Sequence, residues 1–348
     1  MGAAAGGTDG PGAASRTAVS EGDLALLHLL QIAPRATWAD AARVLGSSPS
    51  TLAARWRRLC AERVAWATVQ PHVDGDGVTS ALVVARLDPA RADDAIAGLV
   101  DDHHVVSVDT ETDGTTVLCT VMARGLTRLH EVVAQVARRP GVVAVDTSVV
   151  VSVDRDGTAW RLGALDADER REAAALAVPP RSRRAVEGVG ELAAALVVDA
   201  RAPVAGLARD TGAHPSTVRR HLEALLAGGT VTPRCDMSHV DIGWPVTRTW
   251  FLRVPPAGAA RVTGRLAGLG NLRLVASVTG DATMVVSAVF RSLTESRAWE
   301  QQVLGALPEV AVVRSVLLVS PRKRMGWVLD ERGRRTDRLV LPAVLAPA

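Results

Sequence analysis

The hydrophobic pattern of the first 70 residues is helical and then changes to that of a strand. Apolar residues recur at helical spacing over residues 22–33, a short helix is predicted over 37–45, and Leu52, Trp56 and Leu59 form the apolar stripe of a third helix. Gly46 suits the intervening turn because glycine tolerates a left-handed backbone. Apolar residues 64–69 then predict a strand. This order predicts a winged helix-turn-helix over residues 21–72.

The next stretch alternates strand and helix patterns. Strands are predicted over 81–87, 104–110, 115–122 and 142–153, with one helix after Pro89 and another over about 126–138. Asp113-Gly114 is a strong hairpin signal between the middle strands, because tight hairpin turns need positive φ. The order βαββαβ predicts a ferredoxin-like sandwich over 76–153.

The chain then repeats this plan once. Pro49-Ser50-Thr51 recurs as Pro215-Ser216-Thr217 at an offset of 166 positions, and Arg86 recurs as Arg253 at an offset of 167. We therefore predict a second winged helix-turn-helix over 185–236 and a second sandwich over 245–320. We therefore expect the fold class α+β, with two winged helix-turn-helix domains that alternate with two ferredoxin-like βαββαβ domains.

Three segments fall outside the repeats. Residues 1–20 are rich in Gly, Ala and Ser and predict a disordered tail rather than a signal peptide. Residues 154–184 predict a linker with a charged, helix-prone piece, and residues 321–348 a basic C-terminal tail. No stretch is long and apolar enough for a membrane helix, so we expect a cytoplasmic protein with no membrane partner.

Composition narrows the class of protein further. The chain has 348 residues, is 48% hydrophobic and carries a formal net charge of +3, which excludes global disorder. The three cysteines are far apart and suit buried positions better than a metal or redox site. The first sandwich has 6 arginines against 11 acidic residues, whereas the second has 8 against 4. We hypothesise that the two sandwiches pair with each other, within one chain or across chains, although chance drift of surface charge explains the difference nearly as well.

The chain resembles the Lrp/AsnC family of bacterial transcription regulators. Ser48-Pro49-Ser50-Thr51-Leu52 followed by Arg55-Trp56-Arg57-Arg58-Leu59 is similar to the pattern of that family's recognition helix, and the second copy keeps part of it. The resemblance implies a sequence-specific DNA-binding regulator with double-stranded DNA as partner, sandwich domains that pair in dimers, and an amino acid or similar small effector. It also implies a homo-oligomer, a dimer or higher, and needs no cofactor.

The third helix of a helix-turn-helix lies in the major groove, where base edges are distinguishable. Its outward residues are therefore the candidate DNA contacts, although a lone surface arginine is more often only solvated. They are, in the first copy, Ser50, Thr51, Arg55, Arg57 and Arg58, and in the second, Ser216, Thr217, Arg219, Arg220 and His221. We hypothesise that the first copy positions the DNA backbone and the second reads bases. A non-binding, purely dimerising second copy stays an alternative.

The hairpin between the second and third strands of each sandwich is the candidate effector site. Its residues are Asp113 and Gly114 in the first copy and Gly280, Asp281 and Thr283 in the second. A tight turn alone explains Asp-Gly and Gly-Asp more simply.

Siroheme decarboxylases share this architecture and are the strongest enzymatic alternative. That resemblance would require a motif similar to His-Cys-Tyr-x-Arg, but the chain has no tyrosine and neither Cys119 nor Cys235 has a histidine in that arrangement. Common hydrolase, phosphate-loop and dinucleotide motifs are not found either. We therefore expect a protein that is not an enzyme, with no catalytic residue and no metal site.

Overall fold

The computed structural model describes residues 19–73, 77–158, 160–177 and 190–347. Most of the predicted N-terminal tail, and residues 159 and 178–184 of the predicted linker, lie outside the described residues. The first repeat contains α1 (Glu21–Ile32), α2 (Trp38–Val44), α3 (Pro49–Ala61), β1 (Ala65–Pro71), β2 (Val78–Leu87), α4 (Ala92–Asp101), β3 (Val105–Glu111), β4 (Thr116–Arg124), α5 (Leu126–Ala137) and β5 (Val142–Arg155). The linker contains α6 (Ala167–Leu176). The second repeat contains α7 (Gly190–Val198), α8 (Val204–Thr211), α9 (Pro215–Gly228), β6 (Val231–Met237), β7 (Val246–Arg253), α10 (Pro256–Ala267), β8 (Leu272–Val278), β9 (Met284–Phe290), α11 (Leu293–Trp299) and β10 (Ala311–Arg324), before β11 (Trp327–Leu329) and β12 (Arg335–Leu339).

The helices of the first helix-turn-helix begin at residues suited to capping. The Ser20 side chain accepts a hydrogen bond from the Asp23 amide, and the Asp23 carboxylate accepts one from the Ser20 amide, which forms a capping box. Ser48 caps α3, and Pro49 occupies its first turn. Gly46 has a φ of 56°, as the turn before α3 requires.

The two helix-turn-helix domains pack against each other. β1 and β6 form an antiparallel two-stranded sheet in which Thr68 lies opposite Arg234. Since the repeat offset relates these two residues, a local two-fold axis passes between them. Around it Arg35 donates to the carbonyls of Ala200 and Ala202, and Arg201 donates to those of Pro34 and Ala36. Each strand predicted as part of a wing therefore pairs with its counterpart in the other copy.

The two sandwiches close into one barrel. Within each copy the strands follow the ferredoxin-like order, β5-β2-β4-β3 and β10-β7-β9-β8. Between copies β5 pairs with β8 and β10 pairs with β3, so eight strands form a closed ring. The predicted α+β fold class with ferredoxin-like domains is confirmed, and the pairing of the sandwiches takes place within one chain.

Alternating residues divide the barrel wall into two apolar faces. Outward side chains such as Val83 and Cys119 pack under α4 and α5 in the first copy. In the second copy, Trp250 and Phe290 pack under α10 and α11. Inward side chains fill one end of the barrel with an apolar plug: Leu82, Val84, Leu118, Phe251, Ala276, Val278, Ala282, Val285, Val316 and Leu318. The other end faces the β1–β6 pair.

Residues 321–347, expected to be a basic tail, continue the fold. β11 pairs with β10 and β12 pairs with β11. Trp327, Val344 and Leu345 are buried, and this burial explains why the segment packs despite its arginines. Asp241, between β6 and β7, forms ion pairs with Arg332 and Arg334 and so holds the segment to the second repeat.

Candidate ligand cavity and helix-turn-helix faces

A cavity of about 500 Å³ lies inside the open end of the barrel, beneath the β1–β6 pair. Its volume is in the range of small-molecule sites. Inward-facing polar residues occupy its walls where the apolar plug ends: Ser80, Ser107, Thr120, Thr249 and Ser287. Gln70, His72 and Arg234 reach it from β1, the residue after β1, and β6. The cavity is therefore shared by both sandwiches and by the strands that follow both helix-turn-helix domains.

Four arginines line this cavity, namely Arg155, Arg234, Arg273 and Arg324. Arg234 is 7% exposed; it donates to the Gln70 side chain over 2.6 Å and forms an ion pair with Asp236. Arg155 donates to the Ala267 carbonyl, and Arg324 lies 3.5 Å from the Met237 carbonyl. Gly157 leaves room for Arg234, since a Cβ there would lie 3.3 Å from both of its Nη atoms.

Arg273 differs from these three arginines. Within the described part of the chain its guanidinium makes no hydrogen bond and no ion pair, although it lines the cavity. Burial and the nearby charges of Arg324 and Arg234 lower the pKa of Arg273 to about 9, so the group is still cationic near neutral pH. An unpaired cation next to two others is a ready partner for a carboxylate or phosphate, because such pairs form bidentate, charge-assisted hydrogen bonds.

The same cavity contains a buried carboxyl group whose pKa is perturbed. Burial raises the pKa of the Asp109 carboxyl, while the charges of Arg324 and Arg273 act in the opposite direction. His72 also lines the cavity, and its Nε2 has no hydrogen-bond partner among the described residues. Perturbed titratable groups in a cleft are typical of functional sites.

A small recess continues the cavity under the linker. Its residues include Gln31, Trp160 and His239 together with Arg234 and Arg273. The ring centroids of Trp160 and His239 are 5.0 Å apart, and the linker is held there because the Leu162 amide donates to the Gln31 side chain over 3.0 Å. Burial and neighbouring arginines lower the pKa of His239 well below its usual value, which keeps the imidazole neutral.

The residues predicted to hold an effector lie elsewhere. Asp113, Gly114, Gly280, Asp281 and Thr283 form the β3–β4 and β8–β9 hairpins, beyond the apolar plug and outside the cavity lining. The Asp113 carboxylate accepts hydrogen bonds from the amides of Thr115 and Thr116, as in an Asx turn. Thr283 bonds the backbone of Val254.

The candidate DNA contacts of the first copy divide into two groups. Ser50, Thr51 and Arg57 are exposed on α3. Arg55 lies back over Gly22 of α1, where an added Cβ would collide with its guanidinium. Arg58 forms ion pairs with Asp23 at 2.6 Å and Glu62 at 3.1 Å, so it is engaged within the domain.

In the second copy the candidate contacts lie together on α9. Ser216, Arg219 and Arg220 are exposed, and Thr217 and His221 are half-buried beside them. Neither Arg219 nor Arg220 forms an ion pair within the described ranges. His214 takes the place of the serine that caps α3 and accepts a hydrogen bond from the Ser216 amide.

Sequence reasoning missed the cavity residues, although two signals existed. Ser107, Asp109 and Glu111 recur at every second position of β3, which indicates a polar inner face. The excess of arginine in the second sandwich includes Arg273. Their convergence with Arg234 and His72 depends on barrel closure and on the register of β1 against β6, which no local pattern specifies.

Other site types find little support. In the described ranges no group of three or more His, Cys, Asp or Glu residues could hold a metal ion, and no helix there is long and apolar enough to cross a membrane. Burial raises the pKa of the Cys60 and Cys119 thiols to about 12 and that of Cys235 well above its usual value, which disfavours thiolate chemistry.

Comparison with known proteins finds two kinds of similarity. Residues 20–59 match the AsnC-type helix-turn-helix domain. The crystal structure of the siroheme decarboxylase NirDL is 14% identical, covers 88% of this chain and 93% of its own, and has a TM-score of 0.57. Its co-complex with an iron-uroporphyrin III analogue is 13% identical, with the same coverage and a TM-score of 0.58. AsnC of E. coli is 20% identical over 38% of this chain and 93% of its own, with a TM-score of 0.32. No curated protein matches the chain significantly.

These findings correct one expectation and confirm another. The expectation that the protein is not an enzyme was wrong as drawn, because the structures that share its fold over 88% of the chain are enzymes. The missing tyrosine motif was too narrow a criterion, since a buried cluster of arginine, aspartate and histidine can form without it. The predicted DNA-binding domain type is confirmed at residues 20–59. Residues 20–59 are therefore an AsnC-type helix-turn-helix domain.

Proposed function

We propose that the barrel cavity binds a polycarboxylate tetrapyrrole and that the chain removes carboxyl groups from it, as a protein of the siroheme decarboxylase type. The observation that carries this proposal is Arg273, a buried cation that makes no hydrogen bond or ion pair with the described residues, inside a cavity of about 500 Å³ that three further arginines line. An apolar plug with a cationic end suits a flat, largely apolar ring that bears carboxylates at its rim.

The proposed reaction needs little from the protein beyond binding and one proton. When a side-chain carboxylate leaves as CO₂, the electron pair of the broken C–C bond stays on carbon, and that carbon takes up a proton. Asp109 can hold this proton, because burial raises the pKa of its carboxyl. Arg273 would fix a carboxylate of the substrate, and the iron of the tetrapyrrole belongs to the substrate.

The proposal is tested by incubating the purified full-length chain with siroheme without oxygen and following products by absorbance and mass spectrometry. We expect products that lack one or more carboxyl groups as CO₂. Asp109→Asn removes the proton donor but keeps the shape, so it should bind siroheme and lose most turnover. If the unaltered chain neither binds siroheme nor forms a product, the proposal is contradicted.

We propose a second function, binding of double-stranded DNA through the exposed faces of α3 and α9. It is favoured by the AsnC-type domain at residues 20–59 and by Arg57, Arg219 and Arg220, which are exposed on the third helices. Binding of duplexes from the host's own upstream regions should fall steeply as salt rises, because each phosphate contact releases counterions. If the chain shows no salt-sensitive affinity for any such duplex, this second function is excluded.

An amino-acid effector at the hairpins and assembly into a homo-oligomer remain predictions. The Asp113 side chain already bonds within its own turn and Thr283 bonds the backbone of Val254, so the cavity is the stronger candidate for any small ligand. Sedimentation of the purified chain would test assembly.

A further inference from the structure

The local two-fold axis of the chain relates two positions around the cavity that are chemically different. On the second-copy side β8 contributes Arg273. Its equivalent in the first copy is Val106 of β3. The two positions correspond because each lies two residues before a valine, Val108 or Val275, that has the same register against β4 or β9. Arg273 lines the cavity, whereas Val106 is 1% exposed and belongs to the core of the helix-turn-helix pair.

The same contrast extends to the recess. Gln31, Arg234 and Trp160 surround it. Under the repeat offsets their counterparts are Val197, Thr68 and Trp327. These three residues lie in contact: the Trp327 indole donates to the Val197 carbonyl over 3.2 Å, and the Thr68 hydroxyl donates to the same carbonyl over 2.8 Å.

The counterpart of the recess is therefore closed, and the cation next to it, Arg335, lies over the Trp327 ring at 4.7 Å from the ring centroid. Val106 accepts a hydrogen bond from the Gly326 amide through its carbonyl, which brings the C-terminal segment against β3. Trp327 is 4% exposed and packs against Trp66 and Leu329. A carboxylate placed there would have to displace the Trp327 indole from its core with Trp66 and Leu329 and would lose its hydration.

We propose that the chain binds one tetrapyrrole, off the local two-fold axis, with a carboxylate held by Arg273, and that the equivalent position around Val106 takes no ligand. This inference rests on the proposed tetrapyrrole function and adds its stoichiometry and orientation. The duplicated chain has kept the two-fold backbone of the barrel and confines ligand recognition to one side of it.

The test is a titration of the full-length chain with iron(III) uroporphyrin III, followed by absorbance and by native mass spectrometry. We expect saturation at one ligand per chain. Two ligands of similar affinity would overturn the inference and leave the proposed binding function intact. No binding at all would overturn both.

Two substitutions at Arg273 then test the orientation. Arg273→Val installs the residue that the first copy has, and we expect an affinity loss of at least ~10-fold, equivalent to about 1.4 kcal/mol. Arg273→Lys keeps a charge without the bidentate fork and should recover part of the affinity. Arg265→Val, on the exposed face of α10, is the matched control and should bind as the unaltered chain does.

Folding of each variant is checked by its denaturant midpoint, since a collapsed barrel would also lose affinity. Arg273 makes no hydrogen bond or ion pair with the described residues, so both Arg273 variants should keep the midpoint of the unaltered chain. Undiminished affinity in Arg273→Val would overturn the proposed orientation.

Discussion

The two repeats share a backbone and differ in what they bury around it. The strands and helices of the first copy recur in the second, and the two sandwiches close one barrel together. Yet Arg273, Arg234 and Gln31 stand where the other half has Val106, Thr68 and Val197. One side of the local two-fold axis is polar and open, and the other is apolar and closed.

This difference shows what joining two subunits into one chain permits. In a symmetric homodimer every substitution appears on both sides of the axis, so a polar site and its closed counterpart cannot coexist. Within one chain each half changes alone. Here the closed half has a tryptophan core, and the open half has buried arginines. Because burying a cation lowers the stability of the folded state, this cost falls on the open half alone.

The largest effect should follow from opening the closed side. Trp327→Ala removes a nearly buried indole that packs on Trp66 and donates to the Val197 carbonyl, so we expect a loss of about 3–5 kcal/mol in the free energy of unfolding. Denaturant titration measures this loss. Iron uroporphyrin stoichiometry should stay at one, because the apolar side chains of Trp66 and Leu329 still surround the opened space. A second bound ligand would show that steric closure alone separates the two sides.

The next effect concerns the C-terminal segment that closes this side. Hydrogen bonds from Arg334, Arg332 and Ser238 outweigh the opposing effect of burial and hold the pKa of Asp241 at about 2. A depressed carboxyl pKa stabilises the folded state above the unfolded pKa of about 4, and this contribution of roughly 2 kcal/mol disappears as pH falls towards 2.

Asp241→Asn should therefore lower stability near pH 7 and flatten the dependence of stability on pH between about 5 and 2. Urea midpoints measured across this range, beside those of the unaltered chain, provide the measurement. Equal slopes in both proteins would mean that the Asp241 ion pairs do not hold the segment.

The fold was largely predictable and the cavity was not, for physical reasons that particular residues show. Periodicity identifies elements one at a time, so Leu52, Trp56 and Leu59 predict α3, and Asp113-Gly114 predicts its hairpin. Arg273 and His72 are more than 200 positions apart and meet only after the barrel closes. Trp327 follows a run of basic residues that suggests a solvated tail, yet the indole is 4% exposed.

The helix-turn-helix domains extend the comparison to DNA. Arg219 and Arg220 are exposed without ion pairs in the described ranges, whereas Arg58 is paired with Asp23 and Glu62. The double variant Arg219→Ala, Arg220→Ala should weaken duplex binding and lower the salt slope by about 2, if both side chains contact phosphates.

Arg58→Ala should instead lower the unfolding midpoint and change the salt slope little, because its partners are within the domain. Fluorescence anisotropy over a salt series measures both slopes. Should Arg58→Ala alone reduce the slope, the first copy would be the main DNA contact.

The smallest effect separates the two hairpins. The Asp113 carboxylate accepts bonds from the amides of Thr115 and Thr116 and from the Thr116 hydroxyl, whereas Asp281 contributes its backbone carbonyl to Arg253. Asp113→Ala should therefore cost about 1 kcal/mol of unfolding free energy, and Asp281→Ala clearly less. Neither should change iron uroporphyrin affinity, since both residues lie beyond the apolar plug. Weaker ligand binding in either variant, with an unchanged denaturant midpoint, would instead identify the hairpins as a ligand site.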